Sequence, residues 1–288
     1  MKQITVVSGK GGVGKSTITA SLAKMLSENN KIIAVDSDVD APNLALVLGV
    51  KEQELLEVIS TNEKAYLNEE KCLSCGKCKD VCNFDSINWN KEKNQPEFSY
   101  MKCEGCGACE LVCPYNAIEL KQIENAEILM GLSKYGFTVI SGQLKMGESG
   151  SGKVISVLKR KAEKVAKENT EIMLVDSAAG IGCPVISSLK NSDYVLVVTE
   201  PTPAAIEDMK RVIEVIDHFD IPFGVIVNKW DINKELTKKL ENDYGILTKI
   251  PYSKDFVDSL VELTPIVDYN HKYEKYFEEI INKLTFLY

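Results

Sequence analysis

Gly9-Lys10-Gly11-Gly12-Val13-Gly14-Lys15-Ser16-Thr17 follows the apolar run Ile4-Thr5-Val6-Val7 and precedes a helical pattern of Ala20, Leu22, Ala23, Met25 and Leu26. The order strand, glycine-rich turn, helix decides the fold. With Gly9, four residues, then Gly14-Lys15-Ser16, backbone free of side chains can wrap a phosphate. Successive N–H groups and the positive end of the helix then face its oxygens. Gly9, Gly11, Gly12, Val13, Gly14 and Thr17 form the expected cradle. Lys15 would reach the β- and γ-phosphates and the Ser16 hydroxyl would ligate magnesium.

Lys10, directly after the first glycine, narrows the pattern. Lys-Gly-Gly-Val-Gly-Lys-Ser-Thr resembles the deviant Walker A motif of the ParA/MinD-type ATPases and the nitrogenase iron protein. That resemblance implies ATP as ligand, Mg2+ as its counter-ion and a homodimer on ATP binding, with Lys10 reaching the partner's phosphates.

The chain has 288 residues, 44% hydrophobic and 26% charged, enough for one large α/β domain or two smaller ones. A net charge of −8 argues against a nucleic-acid partner. No apolar stretch approaches a membrane span, and the N-terminus runs straight into strand and loop, so a cytoplasmic protein without membrane attachment is expected. Eight of the nine cysteines fall between residues 72 and 113. In a reducing compartment such clustering points to metal rather than disulfides.

Lys31-Ile32-Ile33-Ala34-Val35 reads as a buried strand delivering Asp36-Ser37-Asp38-Val39-Asp40 to the carboxyl edge of a sheet, where ligands of open α/β folds bind. By resemblance this is switch I, and Asp38 orients the attacking water. Residues 42–60 read as a helix and its continuation. Ile172-Met173-Leu174-Val175 ends in Asp176, the expected second magnesium ligand. Ser177 to Val185 then correspond to switch II, whose Cys183 reads as a packed thiol. Gly224-Val225-Ile226-Val227 ends in Asn228-Lys229-Trp230-Asp231, and the family's matching asparagine contacts the adenine. Lys229 with Asp231 also looks like a guanine-reading pair, but the resemblance favours ATP.

From about residue 64 to 121 the composition changes. Cys72, Cys75, Cys78 and Cys82, then Cys103, Cys106, Cys109 and Cys113, each carry the spacing C-x2-C-x2-C-x3-C, with the unit repeating from Cys72 to Cys103, 31 residues on. Zinc prefers paired C-x2-C at wider separation, so two complete sets favour iron–sulfur. The stretch resembles the bacterial two-cluster ferredoxin. That resemblance implies one [4Fe-4S] cluster on Cys72, Cys75, Cys78 and Cys113 and another on Cys103, Cys106, Cys109 and Cys82. Asn83 stands where that family has proline.

Gly147 to Val154 fits G-x4-G-K but lacks the magnesium hydroxyl, and reads as a flexible loop before a helix. A C-terminal helix over about 271–284 has one apolar stripe and a charge-balanced opposite face, and is expected to pack on the domain.

The expected fold is a doubly wound, mostly parallel α/β P-loop domain (1–63 and 122–288) with a small α+β ferredoxin-like insert (64–121). The arrangement resembles MinD-superfamily ATPases with an inserted ferredoxin domain. It implies an ATPase whose dimerisation is coupled to electron transfer or redox sensing, with a redox or metalloenzyme partner. A cluster carrier for metalloenzyme maturation and a MinD-like positioning ATPase are the alternatives.

Overall fold

The computed structural model describes residues 1–285. In chain order the elements are β1 (Lys2–Ser8), α1 (Lys15–Leu26), β2 (Ile32–Asp36), α2 (Leu44–Val47), β3 (Gln53–Ile59), β4 (Asn62–Leu67), α3 (Lys77–Val81), β5 (Ile87–Asn90), β6 (Gln95–Phe98), α4 (Ala108–Leu111), β7 (Ile118–Ile123), β8 (Ala126–Leu132), β9 (Thr138–Leu144), α5 (Ser151–Val165), β10 (Ile172–Ala179), α6 (Cys183–Leu189), β11 (Tyr194–Thr199), α7 (Pro203–His218), β12 (Phe223–Asn228), α8 (Lys234–Tyr244), β13 (Ile246–Ile250), α9 (Asp255–Val261), α10 (Ile266–Tyr269) and α11 (Glu274–Leu284). They divide into two compact units, Met1–Leu56 with Ile128–Gln143 and Ser151–Tyr288, and Glu57–Glu127 with Leu144–Gly150.

The first unit is built on a sheet of order β13-β12-β11-β1-β10-β2-β9-β8-β3. β1 lies between β10 and β11, parallel to both, with Thr5 opposite Val175 and Val195. Its near-continuous apolar run is what a strand buried on both faces requires. One face is covered by Ile18, Leu22 and Leu26 of α1 together with Phe277 and Ile280 of α11. The other carries Leu189, Met209, Val212 and Ile216 from α6 and α7. Because β1, β2, β10, β11 and β12 run parallel, their ends bring the phosphate loop, Asp36, Asp176, Glu200 and Asn228 to one edge.

One expectation here needs correction. Residues 42–60 are a single helical turn, α2, followed by the strand β3, not a continued helix. Gly49 ends the turn in the left-handed region (φ 67°), with the Val50 amide donating to Ala45, and leaves Leu55 and Val58 exposed. The stretch 147–150 is a loop leading into α5, as expected, and within it the Glu148 carboxylate is 3.4 Å from Lys64, both side chains only 3% exposed. The apolar stripe of α11 packs inward, with Tyr273, Phe277, Ile280 and Leu284 buried. Among the described residues no helix is long and apolar enough to cross a membrane.

The second unit repeats itself in backbone as well as in sequence. β4 pairs with β7 and β5 with β6, both antiparallel. Ser74, Gly76 and Asp85 have positive φ, and so do Gly105, Gly107 and Asn116 one repeat later. α3 and α4 each start after the left-handed glycine of the pair. Its core comprises Ala65, Cys78, Ile87, Cys103, Cys109 and Ile118.

Candidate functional site

The phosphate loop is shaped by two close approaches. A Cβ at Gly9 would sit 2.3 Å from the Asp208 backbone of α7, so only glycine lets the helix close on the loop. Gly14, at φ 96°, precedes α1 and would meet the Asn228 amide at 2.4 Å. Above the loop lies a cleft of about 480 Å3 lined in part by Gly11, Gly12, Gly14, Lys15, Ser16, Thr17 and Asp38. That size accommodates a small ligand.

Asp176 is the hub of the polar groups. Lys15 Nζ lies 2.8 Å from one carboxylate oxygen, and the Ser16 hydroxyl donates to the other at 2.7 Å. Thr19, which sequence reading passed over, donates to Asp176 at 2.6 Å. It sits one helical turn beyond Lys15, and that spacing is the signal that could have found it. A hydroxyl beside a carboxylate offers the hard oxygen ligands that suit Mg2+.

The switch I carboxylates divide their roles. Asp36 is buried and accepts from the amides of Asn43 and Leu44, at 2.8 and 2.9 Å, and of Asp38, so it caps α2. Burial, followed by the nearby Asp176 carboxylate, pushes its pKa up to about 7. Asp38 lines the cleft and is raised chiefly by burial. Asp40 points to solvent.

Asn228, expected at the base, braces the loop in this structure. Its Nδ2 donates to the Val13 carbonyl at 2.8 Å, and its Oδ1 accepts from the Lys229 amide. Lys229 reaches the Gly12 carbonyl at 3.2 Å and Glu200 at 2.7 Å, and Asp231 accepts from the Tyr252 amide. The pair resembling a guanine reader is therefore engaged by the protein itself. Glu200 also lies 4.0 Å from Lys10, whose side chain is 44% exposed. Glu200, and the Leu260 and Leu263 side chains on the cleft wall, had no local sequence signal.

The eight clustered thiols surround two voids in the second unit. Cys72, Cys75, Cys78 and Cys113 line one of about 20 Å3, and Cys82, Cys103, Cys106 and Cys109 line the other, of about 10 Å3. Each void thus draws three thiols from one repeat and the fourth from the other. The Ala117 amide donates to Cys113 Sγ at 3.3 Å, the Ala65 amide to Cys103 Sγ at 3.4 Å, and Ser86 Oγ lies 3.0 Å from Cys82 Sγ. Burial pushes the Cys78 thiol up, and the Cys109 thiol to about 11. Burial would raise Cys82 too, but hydrogen bonds from Ser86 and from the amides of Phe84 and Ile87 bring it below the usual thiol range.

Among the described residues no three His, Cys, Asp or Glu groups converge at the distances of a single ion. Four thiols around one void match in number and chemistry the thiolate ligands that an iron–sulfur core takes. Cys183, expected as a packed thiol, opens α6, is exposed and lines neither void.

Residues 4–266 match the family described as the CobQ/CobB/MinD/ParA nucleotide binding domain. An uncharacterised protein of Methanocaldococcus jannaschii is 39% identical over 98% of this chain and 96% of its own length. Among solved structures, the cell division ATPase MinD of Pyrococcus furiosus superposes with a TM-score of 0.61 at 19% identity, covering 100% of this chain and 99% of that one. MinD of Pyrococcus horikoshii, complexed with Mg-ADP, gives 0.58 at 20% identity over 98% and 95%. The chain belongs to the CobQ/CobB/MinD/ParA nucleotide-binding family and is a P-loop ATPase of the MinD/ParA type.

Proposed function

We propose that this ATPase couples nucleotide-driven dimerisation to two [4Fe-4S] clusters, serving electron transfer or redox sensing toward a partner protein. One observation carries the reading: eight thiols divide into two sets of four, each around its own void and each drawing on both repeats. That division is the crossed ligation of two-cluster ferredoxins, in which the fourth cysteine of a run serves the other cluster. Bound clusters would supply one-electron storage. The protein's own share is to hold them with Cys72, Cys75, Cys78 and Cys113, and with Cys103, Cys106, Cys109 and Cys82. The amides of Ala65 and Ala117 and the Ser86 hydroxyl then direct hydrogen-bond donors at three of the sulfurs.

In the first unit, Lys15 would leave Asp176 for the phosphates, freeing that carboxylate and the Ser16 hydroxyl for Mg2+. Asp38, half-buried on the cleft, orients the attacking water. Lys10, 44% exposed, would leave Glu200, 4.0 Å away, to reach a second copy's phosphates. We take the ferredoxin-like part as residues 64–121, inside the Glu57–Glu127 stretch of the second unit, and the ATPase part as 1–63 with 122–288, although residues 57–63, 122–127 and 144–150 cluster with the second unit. ATP must favour one arrangement of Ser177 to Val185, and that arrangement must differ in what it does to cluster or partner.

The test is anaerobic reconstitution followed by ATPase assay in both redox states. About eight iron atoms per chain with [4Fe-4S] EPR signals on reduction, and hydrolysis rates that differ between oxidised and reduced protein, are expected. Stoichiometric zinc in place of iron, or identical rates in both states, would refute the reading.

A further inference from the structure

The two halves of the second unit share a backbone but not a surface. At positions related by the repeat, Leu73, Lys77 and Lys79 on the first cysteine loop stand where Glu104, Ala108 and Glu110 stand on the second, while Lys71 and Lys102 match. Lys71, Leu73, Lys77 and Lys79 are all exposed, and Leu73 keeps 64% of its surface in solvent. Among the described residues none of these three ammonium groups has an ion pair. Of the acidic neighbours, Glu69 lies 3.5 Å from Lys93, and the exposed Glu70 and Asp80 adjoin Lys71 and Lys79 in sequence, so with Lys93 the stretch carries a small positive excess.

The second loop is already partnered within its unit. Glu104 accepts from Ser149 at 2.8 Å, Asn62 donates to the same hydroxyl, and Met101 lies against Gly147. The segment 144–150 therefore touches the second loop at Met101 and Glu104, and no such contact engages Lys71, Leu73, Lys77 or Lys79 of the first.

We propose that this bare face is the docking site of an acidic electron-carrier protein, which exchanges electrons with the cluster held by Cys72, Cys75, Cys78 and Cys113. The inference rests on the two-cluster reading and adds which cluster is the port and what kind of partner meets it. The step is a one-electron transfer: the carrier's reduced centre loses one electron and the cluster gains it, with no bond made or broken. A chain of net charge −8 repels an acidic carrier over most of its surface. Three unpaired lysines around an exposed leucine and the exposed Cys75 make the local exception that steers encounter.

The test uses the anaerobically reconstituted full chain and an acidic [2Fe-2S] ferredoxin as probe, measuring binding by thermophoresis and electron transfer by stopped flow at low and high salt. The triple variant Lys71→Glu, Lys77→Glu, Lys79→Glu should weaken binding and slow transfer roughly tenfold or more at low salt, with the difference closing at about 0.3 M salt. Lys102→Glu, the matched position on the second loop, where Glu104 and Glu110 replace Leu73 and Lys79, should change neither. Neutral glutamine replacements should give a smaller effect in the same direction. Equal weakening by Lys102→Glu, an unaffected triple variant, or preferential lysine-dependent binding of an oligonucleotide over the ferredoxin would overturn the docking proposal while leaving the clusters in place. A wild-type chain that takes up no iron and sulfide would instead overturn the two-cluster reading, and this inference with it.

Discussion

Removing iron should unfold the second unit and leave the first intact. The core cluster around its voids has six buried side chains, Ala65, Cys78, Ile87, Cys103, Cys109 and Ile118, and three of the six are thiols of the proposed ligand sets. Its two ladders have two strands each, and such pairs are marginal in water without further support. Structural zinc in a small metal-dependent domain contributes on the order of 10–16 kcal/mol, and a cluster on four thiolates would act on that scale, whereas a whole domain is stable by only about 5–15 kcal/mol. Loss of either cluster therefore exceeds what the remaining apolar contacts can hold. Hydrogen exchange on chelated and cluster-loaded protein reads this directly. The amides of the β4–β7 ladder, Ala65 with Leu120 and Leu67 with Ile118, should lose protection by roughly a thousandfold or more, while those of β1 and β10 stay within a factor of a few. Retention of the β4–β7 protection to within about tenfold after complete iron removal would refute the reasoning.

Asp176→Asn keeps shape but removes the charge that gathers Lys15, Ser16 and Thr19, and steady-state ATPase should fall by roughly a hundredfold or more. Cys113→Ser should erase the signal of the cluster held by Cys72, Cys75 and Cys78, although it lies in the other repeat, and Cys82→Ser should erase the second. EPR of the two variants checks the crossed pairing. Lys159, buried, donates to the carbonyls of Ser187, Ser188 and Lys190 at the end of α6, so Lys159→Met should cost about 1–3 kcal/mol in denaturant unfolding. Burial pulls Lys159 from 10.5 to about 8, so the unfolded chain binds the extra proton between those values. Wild-type stability should therefore gain from this group as pH rises through that window, and the gain should be missing in the methionine variant.

What could be read from sequence was what short-range chemistry dictates. The phosphate loop, Asp176 at the end of an apolar run and the two cysteine sets each declare themselves within about ten residues. What escaped depends on partners far along the chain. Asn228 braces Val13 across 215 positions, and its side-chain amide serves the loop where a base contact was expected. Asp36 and Asp38 look equivalent in sequence, and only the fold of α2 turns the first inward as a cap and leaves the second on the cleft. Leu55 and Val58 matched a helical pattern, but the chain had already been turned out at Gly49 into a strand at the sheet edge, where apolar residues stay exposed. Glu148 stood in a stretch resembling a nucleotide loop, and nothing local signals that Lys64, 84 positions earlier, buries it.

The central claim is that nucleotide state and cluster state are energetically linked. EPR-monitored redox titration of both clusters, with and without Mg-ATP, measures that linkage directly. The account predicts that Mg-ATP moves at least one midpoint by about 59 mV or more, equal to about 1.4 kcal/mol for one electron. Titration curves that coincide for both clusters with and without Mg-ATP would contradict it.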